Sequence, residues 1–153
     1  MHLHSNGVRL FLLSAAAAGV LLLSGCETMK GAGDTMMGWF KSSATLSGSQ
    51  EVPPVNTQAS GKASISVGSD KSVSGSVTTS GLAGTAAHIH IAAAGKNGPV
   101  IVPLAKTADG TWSVPSGAKL TDEQFEAYKA GNLYVNVHSA ANKGGEIRAQ
   151  LKP

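Results

Sequence analysis

A single cysteine, Cys26, stands in the 153 residues, so no disulfide can form within the chain and no cysteine-rich zinc site is available. Charged residues are scarce at 14% and aromatic residues at 5%, where an average soluble domain carries roughly 25% charge. That composition excludes a charge-laced coiled coil and a highly charged disordered chain. The formal charge of +3 is spread over basic residues that stand singly from Arg9 to Lys152. Without a clustered basic stripe there is no nucleic-acid footprint. Also missing are G-x-S-x-G, a Walker loop, G-x-G-x-x-G and H-E-x-x-H. From Ala44 onward the carboxylates are Glu51, Asp70, Asp109, Asp122, Glu123, Glu126 and Glu146. Three of them, Asp122, Glu123 and Glu126, suit the first turns of one helix and its dipole, which leaves no acid–base pair for glycoside hydrolysis. No catalytic assignment follows. Turn formers are abundant instead, with 19 glycines and 6 prolines.

The N-terminus explains the lone cysteine. Arg9 precedes an apolar run from Leu10 to Leu23, too short for a bilayer span of ~20 residues but right for a secretory signal. The run ends in Leu23-Ser24-Gly25-Cys26, which resembles the lipobox of bacterial lipoproteins. The resemblance implies cleavage before Cys26, acylation of that residue, and stable anchoring, since two or more acyl chains hold a protein on a membrane. The expected organisation is a signal at 1–25, a tether at 26–43 and one domain at 44–153. Localisation is then the bacterial cell envelope, lipid-anchored and extracytoplasmic, facing the periplasm or the surface. Within the tether, Met36-Met37-Gly38-Trp39-Phe40 is an apolar knot that suits either the lipid headgroups or the edge of the domain.

Past Ala44 the pattern has period two. Ala63, Ile65 and Val67 alternate with polar residues, as do Val73, Gly75 and Val77. So do Ile89 and Ile91, then Leu133, Val135 and Val137, then Ile147, Ala149 and Leu151. Successive strand side chains point to opposite faces, so these are half-buried antiparallel strands. Val100 to Leu104 and Trp112 to Pro115 add shorter segments, with Pro99 and Pro103 marking ends or an edge. Turns are expected at Gly95–Pro99, Ala108-Asp109-Gly110 and Asn142–Gly145. One helix interrupts the series from Thr121 to about Ala130. Thr121 and Gln124 form its capping box and Gly131 its C-terminal stop. The expected fold is an all-β antiparallel sandwich, immunoglobulin-like or superoxide-dismutase-like, with one short helix.

Three segments carry a family resemblance. Leu46–Val55 (LSGSQEVPPV) resembles the opening of a CHRD domain, the module named after chordin. Ala87-His88-Ile89-His90 with Gly95-Lys96-Asn97-Gly98-Pro99-Val100 is similar to its central motif. Gly131–His138 (GNLYVNVH) with Gly144–Leu151 (GGEIRAQL) is similar to its C-terminal signature, with Ala149 where glycine is frequent. The resemblance implies an extracytoplasmic module and assigns no definite chemistry.

Three histidines remain after signal removal. His88 and His90, at i and i+2, project from one strand face, with Cβ atoms expected ~6.5–7 Å apart. His138 joins them only if its strand neighbours theirs. Three imidazoles suit zinc or copper, and an extracytoplasmic setting favours Zn(II) or Cu(II). The H-x-H strand resembles copper–zinc superoxide dismutases, but three histidines cannot rebuild a two-metal site, and fold alone does not give function. The plain alternative is three polar side chains on a solvated sheet face. Glu146 and Arg148 share the outward face of the last strand, and in one register Glu146 lies opposite His138 and can orient it. Glu51 has no position in this reading. Two functions stand side by side. One is a lipid-anchored protein binding copper or zinc through His88, His90 and His138. The other is a metal-free module recognising another envelope protein or a glycan. A metal-dependent enzyme is a third class, for which the sequence shows no substrate pocket.

Overall fold

The computed structural model describes residues 38–153. Cys26, the signal segment and the tether through residue 37 lie outside the described residues. Nine strands and one helix follow in order: β1 Trp39–Ser47, β2 Ser60–Gly68, β3 Val73–Ser80, β4 Gly84–Ile91, β5 Val100–Pro103, β6 Ala105–Ala108, β7 Thr111–Ser113, α1 Asp122–Lys129, β8 Leu133–Ser139 and β9 Ile147–Leu151. The pairings between β1 and β9 are all antiparallel and give one sheet, ordered β5-β4-β8-β9-β1-β2-β3-β7-β6. The expected all-β fold with one short helix is the one observed.

The two ends of that order, β5 and β6, are consecutive in the chain and separated only by Leu104. The Leu104 N–H donates to Ala87 O of β4 at 2.9 Å. The sheet therefore curls until its ends meet and nearly closes on itself. Its concave side holds one core, to which Ile65, Val77, Ile89, Val135, Val137 and Ile147 contribute from five strands, each at most 1% exposed. These are the inward members of the alternating runs, as period two requires.

The helix is capped as the sequence indicates. Gln124 N–H donates to Thr121 Oγ1 at 3.2 Å, and Thr121 N–H to Gln124 Oε1 at 3.0 Å. Gly131 follows at φ 73°, a left-handed stop that favours glycine.

The domain boundary is corrected. A start at 44 leaves Trp39–Ser43 in the tether, yet β1 begins at Trp39 and pairs with β2 from Trp39↔Gly68 to Ser47↔Ser60. The alternation was concealed by Ser42, which points inward, is buried, and accepts a bond from Lys152 N–H at 2.9 Å. Phe40 packs on Phe125 of α1 with ring centroids 5.9 Å apart. Buried Tyr128 donates its hydroxyl to Phe40 O at 3.0 Å, and burial pushes its phenol up to about 12. Phe40 thus fastens the helix to the sheet. Phe40→Ala is expected to destabilise the domain by about 2–3 kcal/mol, less than the ~3–5 kcal/mol of a fully buried phenylalanine. Thr45→Ala, on the exposed face of the same strand, should stay within ~0.5 kcal/mol. Urea denaturation of both variants checks the difference.

Candidate metal centre

β4 and β8 are neighbours, which is the condition the three histidines need. Their register sets His88 opposite Asn136, His90 opposite Tyr134, and His138 opposite Ala86. His138 is therefore one diagonal step from His88 on the outward face. Ring centroids are 4.9 Å apart for His88 and His138, 5.6 Å for His88 and His90, and 6.4 Å for His90 and His138. One ring nitrogen from each histidine lies within 4.8 Å of those of the other two.

Hydrogen bonds fix the free nitrogens. His90 Nδ1 lies 2.9 Å from Gly98 O, and His138 Nδ1 lies 2.8 Å from Lys143 O. A carbonyl only accepts, so each Nδ1 carries a proton; in the neutral His138 ring this leaves the lone pair at Nε2, whereas both nitrogens of His90 face oxygen acceptors. His138 Nε2 sits 3.0 Å from His88 Nδ1, which donates to it. That separation is close to the ~3.3 Å edge of a tetrahedron with metal–nitrogen distances of ~2.0–2.1 Å. His90 Nε2 lies 3.0 Å from Asn136 Oδ1, an acceptor, so Nε2 must release a proton and this contact before it can ligate a metal. Burial holds the His88 and His90 pKa values below the ordinary imidazole range; neighbouring His138 lowers both further, while bonds to Gly98 and Asn136 partly offset the shift at His90. Neutral imidazole is the ligand form.

Around the histidines the outward face is covered. His90 stacks on Tyr134 at 4.6 Å with planes 5° apart, and the Arg148 guanidinium lies 3.4 Å from the other face of the Tyr134 ring. Arg148 is only 1% exposed. Its Nη1 donates to Asn97 Oδ1 at 3.2 Å, and its Nη2 to Lys96 O at 2.8 Å and Gln150 Oε1 at 3.4 Å. Asn97 Nδ2 in turn donates to Val52 O at 2.7 Å. Two loops, Gly48–Ala59 and Ala92–Pro99, are thereby pinned over β8 and β9. They bring in Glu51, buried with Oε1 unpartnered. Desolvation raises the Glu51 pKa, with the Arg148 charge and the Asn136 amide opposing it. Gly145, at φ 132°, makes room: a Cβ there would collide with Glu51 Oε1 and Asn136 Nδ2.

The plain alternative of a solvated sheet face does not describe this site: His90, Tyr134, Asn136, Glu146 and Arg148 are buried, and His88 and His138 are partly so. The expectation for Glu146 needs correcting. Glu146 does lie beside His138 in the expected register, with Asn136↔Arg148 and Val137↔Ile147 paired, but it does not orient that ring. Its Oε1 accepts from Thr57 Oγ1 at 2.8 Å, and bonds from Ser139, Thr57 and Asn142 hold its carboxyl below the usual range. The orienting role at His138 falls to the Lys143 carbonyl. Arg148 reaches the histidines only through Tyr134. Tyr134 and Asn136, which alternate with His138 on the outward side of one strand, complete the site beside His90.

The family model of the CHRD domain matches residues 42–151. The chain belongs to the CHRD domain family. Membership marks it as a module of the extracellular or cell-envelope kind. Comparison with curated proteins and with solved structures finds no match. The CHRD motifs, far apart in sequence, converge in space. The opening motif supplies Glu51 and Val52 O, the central one His88, His90, Asn97 and Gly98. The C-terminal one supplies Tyr134, Asn136, His138, Gly145 and Arg148. Each motif is thus one side of a single polar cluster.

Proposed function

We propose that this CHRD domain binds one Cu(II) or Zn(II) ion through His88, His90 and His138, as part of an envelope protein held on the membrane by acylated Cys26. The observation that carries the reading is the convergence of three imidazole nitrogens within 4.8 Å, two of them aimed by a backbone carbonyl on the opposite ring nitrogen. Outer bonds of that kind fix the tautomer and raise ligand basicity. Binding exchanges the His88–His138 hydrogen bond and the His90–Asn136 contact for metal bonds. Three nitrogen ligands leave a fourth position for water or a partner's side chain.

Calorimetric titration of Cu(II) and Zn(II) into the processed chain, purified without a histidine tag, tests this. One ion per chain is expected, with affinity well below millimolar. The pH dependence has a definite sign. His88 and His90 are depressed below 6.5, so both are mostly neutral at that pH, and their protonation on further acidification should weaken binding. Several weak equivalents, or no binding, would leave a metal-free module recognising another envelope protein or a glycan as the better reading.

A further inference from the structure

The outward face of β1 and β2 differs from the rest of the molecule. Trp39, Lys41, Ser43 and Thr45 point out along β1, every one exposed. Across the register Ser43 faces Ser64 and Thr45 faces Lys62, and β3 continues the rows with Ser76 and Thr78. A shallow trough runs between these side chains. No carboxylate stands on the outward positions of β1, β2 or β3. In the turn after β2, Asp70 accepts bonds from Ser72 and faces Lys119 at 3.6 Å. Trp39 at 38% and Val100 at 46% are the large apolar side chains left exposed among the described residues.

We infer that this face docks on the anionic headgroup layer of the membrane that holds the chain. The inference rests on the acylated Cys26 reading and adds which surface meets the lipid. Two observations support it. Trp39 is where the segment leading back to Cys26 enters the sheet, so the face nearest the anchor carries an indole, two ammonium groups and hydroxyl rows. That combination suits the membrane interface, where the indole has its apolar body in the acyl boundary and its N–H in water. Its charge is also complementary: Lys41 and Lys62 meet phosphate without an opposing carboxylate. Each lysine held near an anionic surface is worth about a fivefold gain in partitioning. Such a gain suffices because the anchor keeps the face at high local concentration. A tether from 27 to 38 spans up to ~40 Å when extended, so the anchor alone does not impose contact. In the sheet order β2 lies four places from β4, so docking through β1 and β2 leaves the histidine strands away from the lipid.

The test uses the processed chain from a bacterial host, reconstituted in phosphatidylcholine vesicles with or without phosphatidylglycerol. Flotation reports the anchor. Quenching of tryptophan fluorescence by brominated acyl chains reports the face, because the other indole, Trp112, is buried at 3%. Quenching of one tryptophan is expected in the vesicles containing phosphatidylglycerol. It should weaken with added salt and fall about 25-fold in docking equilibrium in Lys41→Gln/Lys62→Gln, which still floats. Flotation with both indoles unquenched overturns the docking face and leaves the anchor standing. Failure to float overturns the anchor, and the inference with it.

Discussion

Arg148→Met is expected to destabilise the domain by about 3–5 kcal/mol, the usual cost of removing one partner from a buried, paired charge. A domain of this size has roughly 5–15 kcal/mol in all, so the variant should stand near the limit of folding. Several losses act together. Asn97 Oδ1, Lys96 O and Gln150 Oε1 lose their donors, the Tyr134 ring loses the guanidinium at 3.4 Å, and buried Glu51 loses the cation that offsets its desolvation. Methionine fills much of the volume and restores none of these. The Glu51 carboxyl, already raised by burial, should rise further. For an acid whose folded pKa lies above its unfolded value, stability is full below the unfolded value and is lost as pH rises through the folded one. The Arg148→Met deficit should therefore shrink on acidification toward 4.5, the ordinary value for glutamate, and Glu51→Gln in the same chain should recover part of it. Urea midpoints of the wild type, Arg148→Met, Glu51→Gln and the double variant, at neutral and acidic pH, give the coupling. A deficit under about 1 kcal/mol with no pH dependence would mean that the guanidinium is solvated and that the two loops need no pin.

How much of this was legible follows from which interactions are local. Strands such as Ala63–Val67 and Leu133–Val137 could be read because one face meets the core and the period is two. The helix could be read because Thr121 and Gln124 satisfy each other's backbone across three residues. The facing of His88, His90 and His138 followed from parity alone. What parity cannot supply is the cover. Gly48–Ala59 and Ala92–Pro99 lie over the outward face through Asn97, Arg148 and Val52 O, contacts between residues 45 to 51 apart in the chain. No periodicity records such pairs, so Glu51 had no position and a solvated face stayed open as an alternative. β6 leaves no signal for a related reason: Ala105–Ala108 is exposed throughout and has no buried face to impose alternation. Glu146 illustrates a different limit. Register placed it beside His138, but Thr57 Oγ1, 89 residues away in the chain, takes its carboxylate.

His90→Ala separates a metal site from a set of surface imidazoles, because its two consequences have different causes. As one of three ligands, His90 should cost metal affinity more than about 100-fold, beyond the ~10–100-fold of outer contacts. His88→Ala and His138→Ala should match it, since the ion needs all three. Stability of the metal-free chains should not match. His90 is 7% exposed, donates to Gly98 O, meets Asn136 and stacks on Tyr134. Its removal leaves the buried Asn136 Oδ1 without its donor beside a cavity, at about 1–3 kcal/mol, while the part-buried Gly98 O keeps only the long bond from the Tyr134 hydroxyl at 3.5 Å. His88 is half-buried and bonds only His138, so His88→Ala should cost under about 1 kcal/mol, with His138→Ala between them through Lys143 O. Calorimetry gives the affinities, and urea denaturation with chelator gives the stabilities. Adding Zn(II) at about 100 times its Kd should stabilise the wild-type chain by about 2.7 kcal/mol and leave all three variants where chelator puts them. Equal stabilities with small, additive losses of affinity would show three independent side chains and end the case for a shared ion.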